Sequence, residues 1–206
     1  MVVAKKLKPV EMIGDLEPML TRLKLTAIRD QLETLLDQAA RAEMNLREAL
    51  TMLCTAEVAR KDERRIQMGL SIAKFPFVRT LEGFEYDAQP SVDPKQMRDL
   101  ATSRWVANGD SVLLLGPPGV GKTHLAVALG REAIVRGYST LFVPATGLVT
   151  QLARANAEGR LEDKLLHFSK PKLLIVDELG YLPFEANAAP CSSSWSAGAT
   201  SAAQCW

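Results

Sequence analysis

A glycine-rich octapeptide lies in the middle of the chain, between an apolar run and a helix-like pattern. Residues 116–123 read GPPGVGKT, which matches the spacing G-x-x-x-x-G-K-[ST] of a phosphate-binding loop. The apolar run at 111–115 predicts a buried strand. The pattern from Lys122 to about Arg136 predicts a helix that ends at Gly137. A chance turn is the alternative, but a strand before the loop and a helix after it are the context that phosphate binding requires.

The residue types of this loop suit the phosphates of a nucleotide. Glycine lets the main chain turn tightly around an anion, and N–H groups at a helix start favour negative charge. We predict that Lys122 neutralises the β- and γ-phosphates and that the hydroxyl of Thr123 binds Mg²⁺. The main-chain N–H of His124 could also face a phosphate, whereas its side chain receives no role. The predicted nucleotide-binding residues are Gly116, Pro117, Pro118, Gly119, Val120, Gly121, Lys122, Thr123 and His124.

A second apolar run, at 173–176, ends in two acids, Asp177 and Glu178. In an open parallel sheet, the carboxyl ends of the strands lie at one edge, where ligands bind. We therefore predict that Asp177 belongs to the Mg²⁺ shell and that Glu178 orients the attacking water, so that Lys122 and Glu178 are the catalytic residues. An acid pair is a weak signal by itself, but about fifty residues separate it from the loop. That distance leaves room for one more strand and its helices.

Strand and helix patterns alternate in the second half of the chain. Strand-like spacing occupies 111–115, 140–143 and 172–176, and helix-like spacing occupies 122–136, 146–157 and 161–168. This alternation predicts an α/β fold with a parallel sheet, of the type found in P-loop nucleoside triphosphatases.

The first part of the chain is helical by pattern. Apolar residues recur at helical spacing over 15–42, which predicts an amphipathic helix with one break at most. Asn45 and Glu48 form a capping box for a second helix that runs to about Ala73. The residues of this helix that are expected to face inward are Leu46, Leu50, Leu53 and Ala56.

Four basic residues share one side of the second helix: Arg60, Lys61, Arg64 and Arg65. One interpretation is contact with DNA phosphates. The other is a solvated helix face whose charge is softened by Asp62 and Glu63, and the charge run alone favours this second interpretation.

A connector is expected to link the helical region to the α/β core. It has a turn-rich stretch at 87–90 and a short helix over about 94–106. Phe84 and Tyr86 either wall a nucleotide base or pin the connector to the core, and the second role is the more common one. The expected segments are a helical region at 1–78, the connector at 79–110, the ATP-binding core at 111–185 and a tail at 186–206.

Composition and charge limit the partners and the cellular location that we expect for this chain. The net charge is +1, so no global field favours nucleic acid. The three cysteines are far apart and have no metal-ligand spacing, which is typical of thiols in a reducing cytosol, and we expect a cytoplasmic protein. No apolar run suits a signal peptide or a membrane span.

Two longer stretches, GPPGVGKTHLAVALGREAIVRGY and LLIVDELGYLPFE, resemble a known family. They are similar to the Walker A and Walker B regions of the AAA+ ATP-binding helper of insertion-sequence transposases, the IstB-like group. That group is related to the helicase loader DnaC and more distantly to the initiator DnaA. Residues 20–84, ending in KFPFVRTLEGF, resemble its helical region, so the resemblance covers about residues 12–185.

The resemblance implies a five-stranded sheet in the order 5-1-4-3-2 and binding of ATP with Mg²⁺. It also implies assembly as a homo-oligomer on double-stranded DNA and cooperation with a cognate transposase in DNA transposition. Under this resemblance, the two interpretations of the basic face, contact with DNA phosphates and a solvated helix face, carry equal weight. The alternatives are a helicase loader of the DnaC type and a non-enzymatic fragment that binds DNA or a full-length relative.

The chain departs from the family pattern after DELGYLP. The family continues with strands and a helical lid that supply a polar sensor and an arginine for the neighbouring subunit, whereas this chain has no arginine or lysine after Lys172. Its last stretch is rich in Ala and Ser, and codons read one base earlier permit the family-like peptide LFFQLVSRRYERGAVL. We therefore expect a truncated, frameshifted copy with an incomplete sheet, weak or partner-dependent nucleotide binding and hydrolysis near background.

Overall fold

The computed structural model of the chain describes residues 16–181 and the main chain of residues 202–204. Its contacts form two compact units, one ending at Arg65 and the other beginning at Ile66. The helices are α1 (Leu16–Arg22), α2 (Thr26–Asp30), α3 (Leu32–Arg41), α4 (Leu46–Ala73), α5 (Pro94–Ala101), α6 (Arg104–Asn108), α7 (Lys122–Val135), α8 (Ala145–Ala157) and α9 (Leu161–Ser169). The strands are β1 (Ser111–Leu113), β2 (Thr140–Pro144), β3 (Leu173–Asp177) and β4 (Ala202–Gln204). None of the helices within residues 16–181 combines the length and apolar character that a bilayer-spanning helix needs.

The first predicted helix is three short helices, so the expectation of one break at most is wrong. Lys24 has a φ of +56° and ends α1, where the N–H of Leu25 donates to the carbonyl of Leu20 at 2.8 Å. A left-handed residue just past a helix end satisfies its last carbonyls in this way. Gln31 separates α2 from α3. The apolar spacing continues through both breaks, which is why the pattern alone looked like one helix.

The capping box of α4 is confirmed. The main-chain N–H of Asn45 donates to Glu48 Oε2 at 2.9 Å, and the N–H of Glu48 donates to Asn45 Oδ1 at 3.0 Å. The helix ends at Ala73, where Lys74 takes a φ of +57° before the Phe75-Pro76 step. Residues before proline avoid the helical region, so this sequence stops the helix where expected.

The inward face predicted for α4 is wrong over its first turns. Leu46 is 77% exposed and Leu50 is 52% exposed, whereas Leu53 and Ala56 are half-buried. The buried residue on this same side is Glu57, at 4% exposure. Its Oε2 accepts hydrogen bonds from the N–H groups of Ala27 and Ile28 at 2.8 and 3.2 Å, which satisfies the start of α2. Helix geometry put these positions on one side, but only the part that faces α2 is covered.

The second unit is built around α7, which is buried on almost every side. Its apolar residues Leu125, Leu129, Ala133 and Ile134 are buried, and Ala126 is half-buried. A helix that is apolar all round belongs in the centre of a domain. The connector packs on this helix, because Leu81, Phe84 and Met97 form one cluster with Leu125, Ala128 and Leu129. The expectation that Phe84 pins the connector to the core is confirmed.

The strands pair in parallel, as an α/β fold requires. β2 pairs with β3 in the register Thr140↔Leu173 to Pro144↔Asp177. β1 pairs with β4 in the register Ser111↔Ala202 to Leu113↔Gln204. The predicted fold class, a P-loop α/β core preceded by a helical region, is confirmed.

The pairing of β4 is a finding that the sequence pattern did not predict. Strand pairing uses main-chain groups, so a stretch of small residues without alternation can add to an edge. Among the described residues β1 and β3 do not pair with each other. The rest of the tail predicted at 186–206 lies outside the described residues.

Candidate functional site

The phosphate-binding loop runs from the end of β1 to the start of α7. Gly119 and Gly121 have φ values of +84° and +86°, a left-handed conformation that side chains rarely adopt. Gly121 also lies against the connector, since a Cβ built on it would be 2.6 Å from Cε2 of Phe84. Glycine at 121 is therefore required both by backbone conformation and by space.

Lys122 is the first residue of α7, and its side chain turns back over the loop. Its Nζ donates to the carbonyls of Gly116 at 2.9 Å and Pro117 at 2.7 Å. The ammonium group is thus held at the loop by acceptors of the loop itself. The charge of Lys122 therefore lies beside the main chain of the loop.

Thr123 and Asp177 meet at the edge of the sheet. Thr123 Oγ1 donates to Asp177 Oδ2 at 2.8 Å, and both side chains are half-buried. The last residue of β3 therefore lies beside the first turn of α7, as expected for the carboxyl edge of a parallel sheet. A hydroxyl and a carboxylate in contact are the oxygen donors that Mg²⁺ takes from proteins, so these residues fit the ion.

Glu178 follows Asp177 and is exposed. Its φ is +61°, and the chain then enters the short 3-10 turn Leu179–Tyr181. A left-handed residue other than glycine is uncommon and is found more often at functional sites than elsewhere. The regular strand therefore ends at Asp177, and the main chain turns at Glu178.

An open cleft of about 510 Å³ lies between the loop and the connector. Its walls come from two stretches of chain: Val78, Arg79, Thr80, Gly83, Phe84, Glu85, Ala88 and Gln89 on one side, and Gly119, Val120, Gly121 and His124 on the other. Apart from Phe84, the sequence analysis gave the residues of this first wall no role in a site, and it took the stretch KFPFVRTLEGF only as part of the helical region. The aromatic pair Phe84 and Tyr86 was the available signal.

The side chain of His124 has a defined place in this cleft. Its Nε2 donates to the main-chain carbonyl of Thr80 at 2.9 Å. Its ring meets the ring of Phe84 edge-on, with centroids 5.2 Å apart and planes at 89°. Phe84 contacts Tyr86 in the same manner at 5.0 Å. His124 therefore contacts both the connector backbone at Thr80 and the ring of Phe84, which the sequence did not indicate.

The basic face of α4 is engaged within its own unit. Arg60 pairs with Asp30 at 3.5 Å, and Lys61 pairs with Glu57 at 3.6 Å. The other two members bond to polar neighbours: Arg64 donates to Thr26 at 3.1 Å, and Arg65 to Asp62 at 3.3 Å. The pairs Arg60–Asp30 and Arg65–Asp62 are exposed and contribute only about 0–1 kcal/mol each, whereas Glu57, the partner of Lys61, is buried.

Comparison with known proteins gives a consistent result. Residues 18–191 match the family described as IstB-like ATP binding protein. The chain is 43% identical over 168 residues to a Geobacillus stearothermophilus protein named for insertion sequence IS5376 and ATP binding, with 82% of this chain and 67% of the relative covered. It is 44% identical over 169 residues to a Pseudomonas aeruginosa protein named for insertion sequence IS21 and ATP binding, with 82% and 64% covered.

A relative from Bacillus thuringiensis, named for insertion sequence IS232 and ATP binding, is 35% identical over 163 residues, with 79% of this chain and 65% of the relative covered. The chain thus spans about two thirds of the length of the curated relatives it matches. The resemblance read from the two motifs is confirmed, and the chain belongs to the family of IstB-like ATP binding proteins.

Proposed function

We propose that this chain binds ATP with Mg²⁺ and acts as the ATP-binding helper of an insertion-sequence transposase. The observation that carries the proposal is the contact between Thr123 and Asp177 beside a phosphate-binding loop, in a chain of the IstB-like family. The relatives' names, which join insertion sequences to ATP binding, support the link to transposition.

Each residue of the site would have a role in binding that follows from its chemistry. The main-chain N–H groups of the loop and of the first turn of α7 would receive the phosphates, and Lys122 would exchange its loop carbonyls for phosphate oxygens. Thr123 and Asp177 would hold Mg²⁺, which when bound neutralises charge on the β- and γ-phosphates. In family members that hydrolyse ATP, the residue at the position of Glu178 would orient the attacking water.

The cleft beside the loop would hold the nucleoside. It opens directly from Gly119 and Gly121, so a nucleotide with its phosphates in the loop has its base directed toward the connector. Phe84 offers a ring edge at this boundary and is itself fixed in the core at 8% exposure. A fixed aromatic beside a phosphate site is a suitable wall for a planar base.

Thermal unfolding with and without Mg·ATP tests the binding proposal. A ligand that binds only the folded state stabilises it, by about 2.7 kcal/mol at a concentration one hundred times its Kd. We expect Mg·ATP to raise the melting temperature of the natural chain and of a Lys170→Ala control. Lys122→Ala should lose most of this shift. An equal shift in Lys122→Ala and the control would contradict the proposed site.

Binding of the helical unit to double-stranded DNA is the second part of the proposal. Arg60, Lys61 and Arg65 keep 37%, 53% and 45% of their side-chain surface exposed, so they remain accessible to phosphates. Replacing all four basic residues of the face by Gln should weaken DNA binding and flatten its salt dependence. Arg154→Gln with Arg160→Gln is the matched control, since these two arginines also pair with an acid, Glu158.

The partner protein tests the role in transposition. Co-purification with the transposase of the same insertion sequence is the expected result. Co-purification with a replicative helicase instead would favour the helicase-loader alternative.

A further inference from the structure

His124 lies where the two halves of the cleft meet. It follows Thr123, whose hydroxyl bonds to Asp177 on the phosphate side. Its own side chain points the other way, to the carbonyl of Thr80 and the ring of Phe84. His124 therefore links the phosphate-binding loop to the connector residues that line the other side of the cleft, called here the connector wall.

The acceptor of this link is held in a defined position. Residues 80–84 form a tight turn, in which the N–H of Gly83 donates to Thr80 Oγ1 at 3.2 Å and the N–H of Phe84 donates to the carbonyl of Leu81 at 3.3 Å. The Thr80 carbonyl is thus presented to α7 by a turn that is closed on itself. A carbonyl can only accept, so Nε2 of His124 must carry the proton of this bond.

We propose that His124 is a positioning residue for the nucleoside end of the ligand. Its bond to Thr80 sets the distance of the connector wall from α7, and this distance fixes where Phe84 and the backbone of the wall stand in the cleft. The proposal rests on ATP binding at the proposed site. It adds that the side chain of His124 acts on recognition of the base and not on binding of the phosphates.

The test separates the two ends of the ligand. Isothermal titration measures the Kd of Mg·ATP and of Mg·tripolyphosphate, which has the phosphates but no nucleoside. The variants are His124→Asn and His124→Gln. Both are polar, but only glutamine has the length to bring an N–H near the position of Nε2. The control is His167→Leu on α9, because His167 is the other histidine of the chain and its ring meets that of its neighbour Phe168, with centroids 5.3 Å apart.

We expect His124→Asn to weaken ATP binding about fivefold to tenfold, the effect of one lost hydrogen bond, and to change tripolyphosphate binding less than twofold. His124→Gln should recover most of the ATP affinity, and His167→Leu should change neither Kd. Equal losses for both ligands, or no loss for either, would overturn the role of His124. If the natural chain binds neither ligand, the proposed ATP site itself is wrong and the role of His124 is wrong with it.

A purely structural role has a different signature. Should His124→Asn lower the melting temperature of the ligand-free chain and weaken both ligands in proportion, His124 is a packing residue and the proposal fails. Should His124→Asn not fold, His124→Gln decides: natural Kd values for both ligands, or a loss confined to ATP, support the positioning role. Equal losses for ATP and tripolyphosphate overturn it.

Discussion

Thr123 and Asp177, 54 residues apart in the chain, are joined by a hydrogen bond of 2.8 Å from hydroxyl to carboxylate. The bond connects the first turn of α7 to the last residue of β3. It therefore couples the phosphate-binding helix to the strand that ends in the second motif. Under the proposed function, these are the two side chains that would hold Mg²⁺.

Thr123→Val should remove the metal-dependent part of ATP binding. The variant keeps the shape of the side chain but loses the hydroxyl, so we expect ATP to shift the melting temperature equally with and without Mg²⁺. Loss of the bond to Asp177 should also cost about 1 kcal/mol of ligand-free stability. Thr150→Val is the control, since its hydroxyl bonds only to the carbonyl of Thr146 within α8. A Mg²⁺-dependent shift that survives in Thr123→Val would contradict the assignment.

Gly121→Ala should destabilise the chain more than Gly159→Ala does. Both glycines have positive φ, +86° and +67°, so an alanine at either position is strained by about 1–2 kcal/mol. A Cβ at 121 would also meet Phe84 at 2.6 Å, whereas a Cβ at 159 would meet nothing within 4 Å. Chemical denaturation of both variants measures the difference. Equal losses would show that the ring of Phe84 moves away without cost.

The stability of the helical unit should depend on the ionisation of Glu57. Burial raises the pKa of this carboxyl, but the N–H groups of Ile28 and Ala27 and the ammonium of Lys61 outweigh burial and lower the pKa below its usual 4.5. A lowered pKa means that the charged form is favoured by folding. Its contribution is therefore complete above the usual pKa and is lost as the pH falls through the folded one.

Glu57→Gln tests this dependence. At pH 7 the variant should be less stable by about 1–3 kcal/mol, because two buried N–H donors lose a charged acceptor. The difference from the natural chain should shrink as the pH falls below 4.5 and through the lower pKa of the folded carboxyl, because the protonated carboxyl resembles the amide. Urea unfolding at several pH values measures it. A difference that stays constant down to pH 3 would show that the charge of Glu57 is not what stabilises α2.

Asn45→Ala should lower stability by about 0.5–2 kcal/mol, the usual cost of losing an N-cap. Asn45 and Glu48 cap each other's main chain, so their contributions should not add. We expect the double variant with Glu48→Ala to be less destabilised than the sum of the two single variants. Additive losses in chemical denaturation would argue against a reciprocal cap.

Patterns within a few residues of sequence were sufficient to predict much of this structure. The start of α4 follows from Asn45 and Glu48, three residues apart, and the end of α7 follows from Gly137, which takes a φ of +96°. The loop at 116–123 and the helix after it were likewise readable, because each depends on neighbours within a few positions. The strand before the loop is also present, but β1 is mostly exposed where a buried strand was predicted. The approach of Asp177 to the loop also followed, since parallel strands end at one edge.

Other features depend on which surfaces of the folded chain come together. The hydrophobic pattern placed Leu46 and Leu50 inside, yet burial on that side of α4 begins where α2 packs, at Glu57. The hydrogen bond from the His124 side chain to the Thr80 carbonyl joins residues 44 positions apart. Because every residue has a main-chain carbonyl, the sequence does not indicate which carbonyl will accept such a bond. The periodicity of a sequence shows which side of a helix or strand is apolar. Packing between elements decides how much of that side is buried and which polar groups of neighbouring elements form hydrogen bonds.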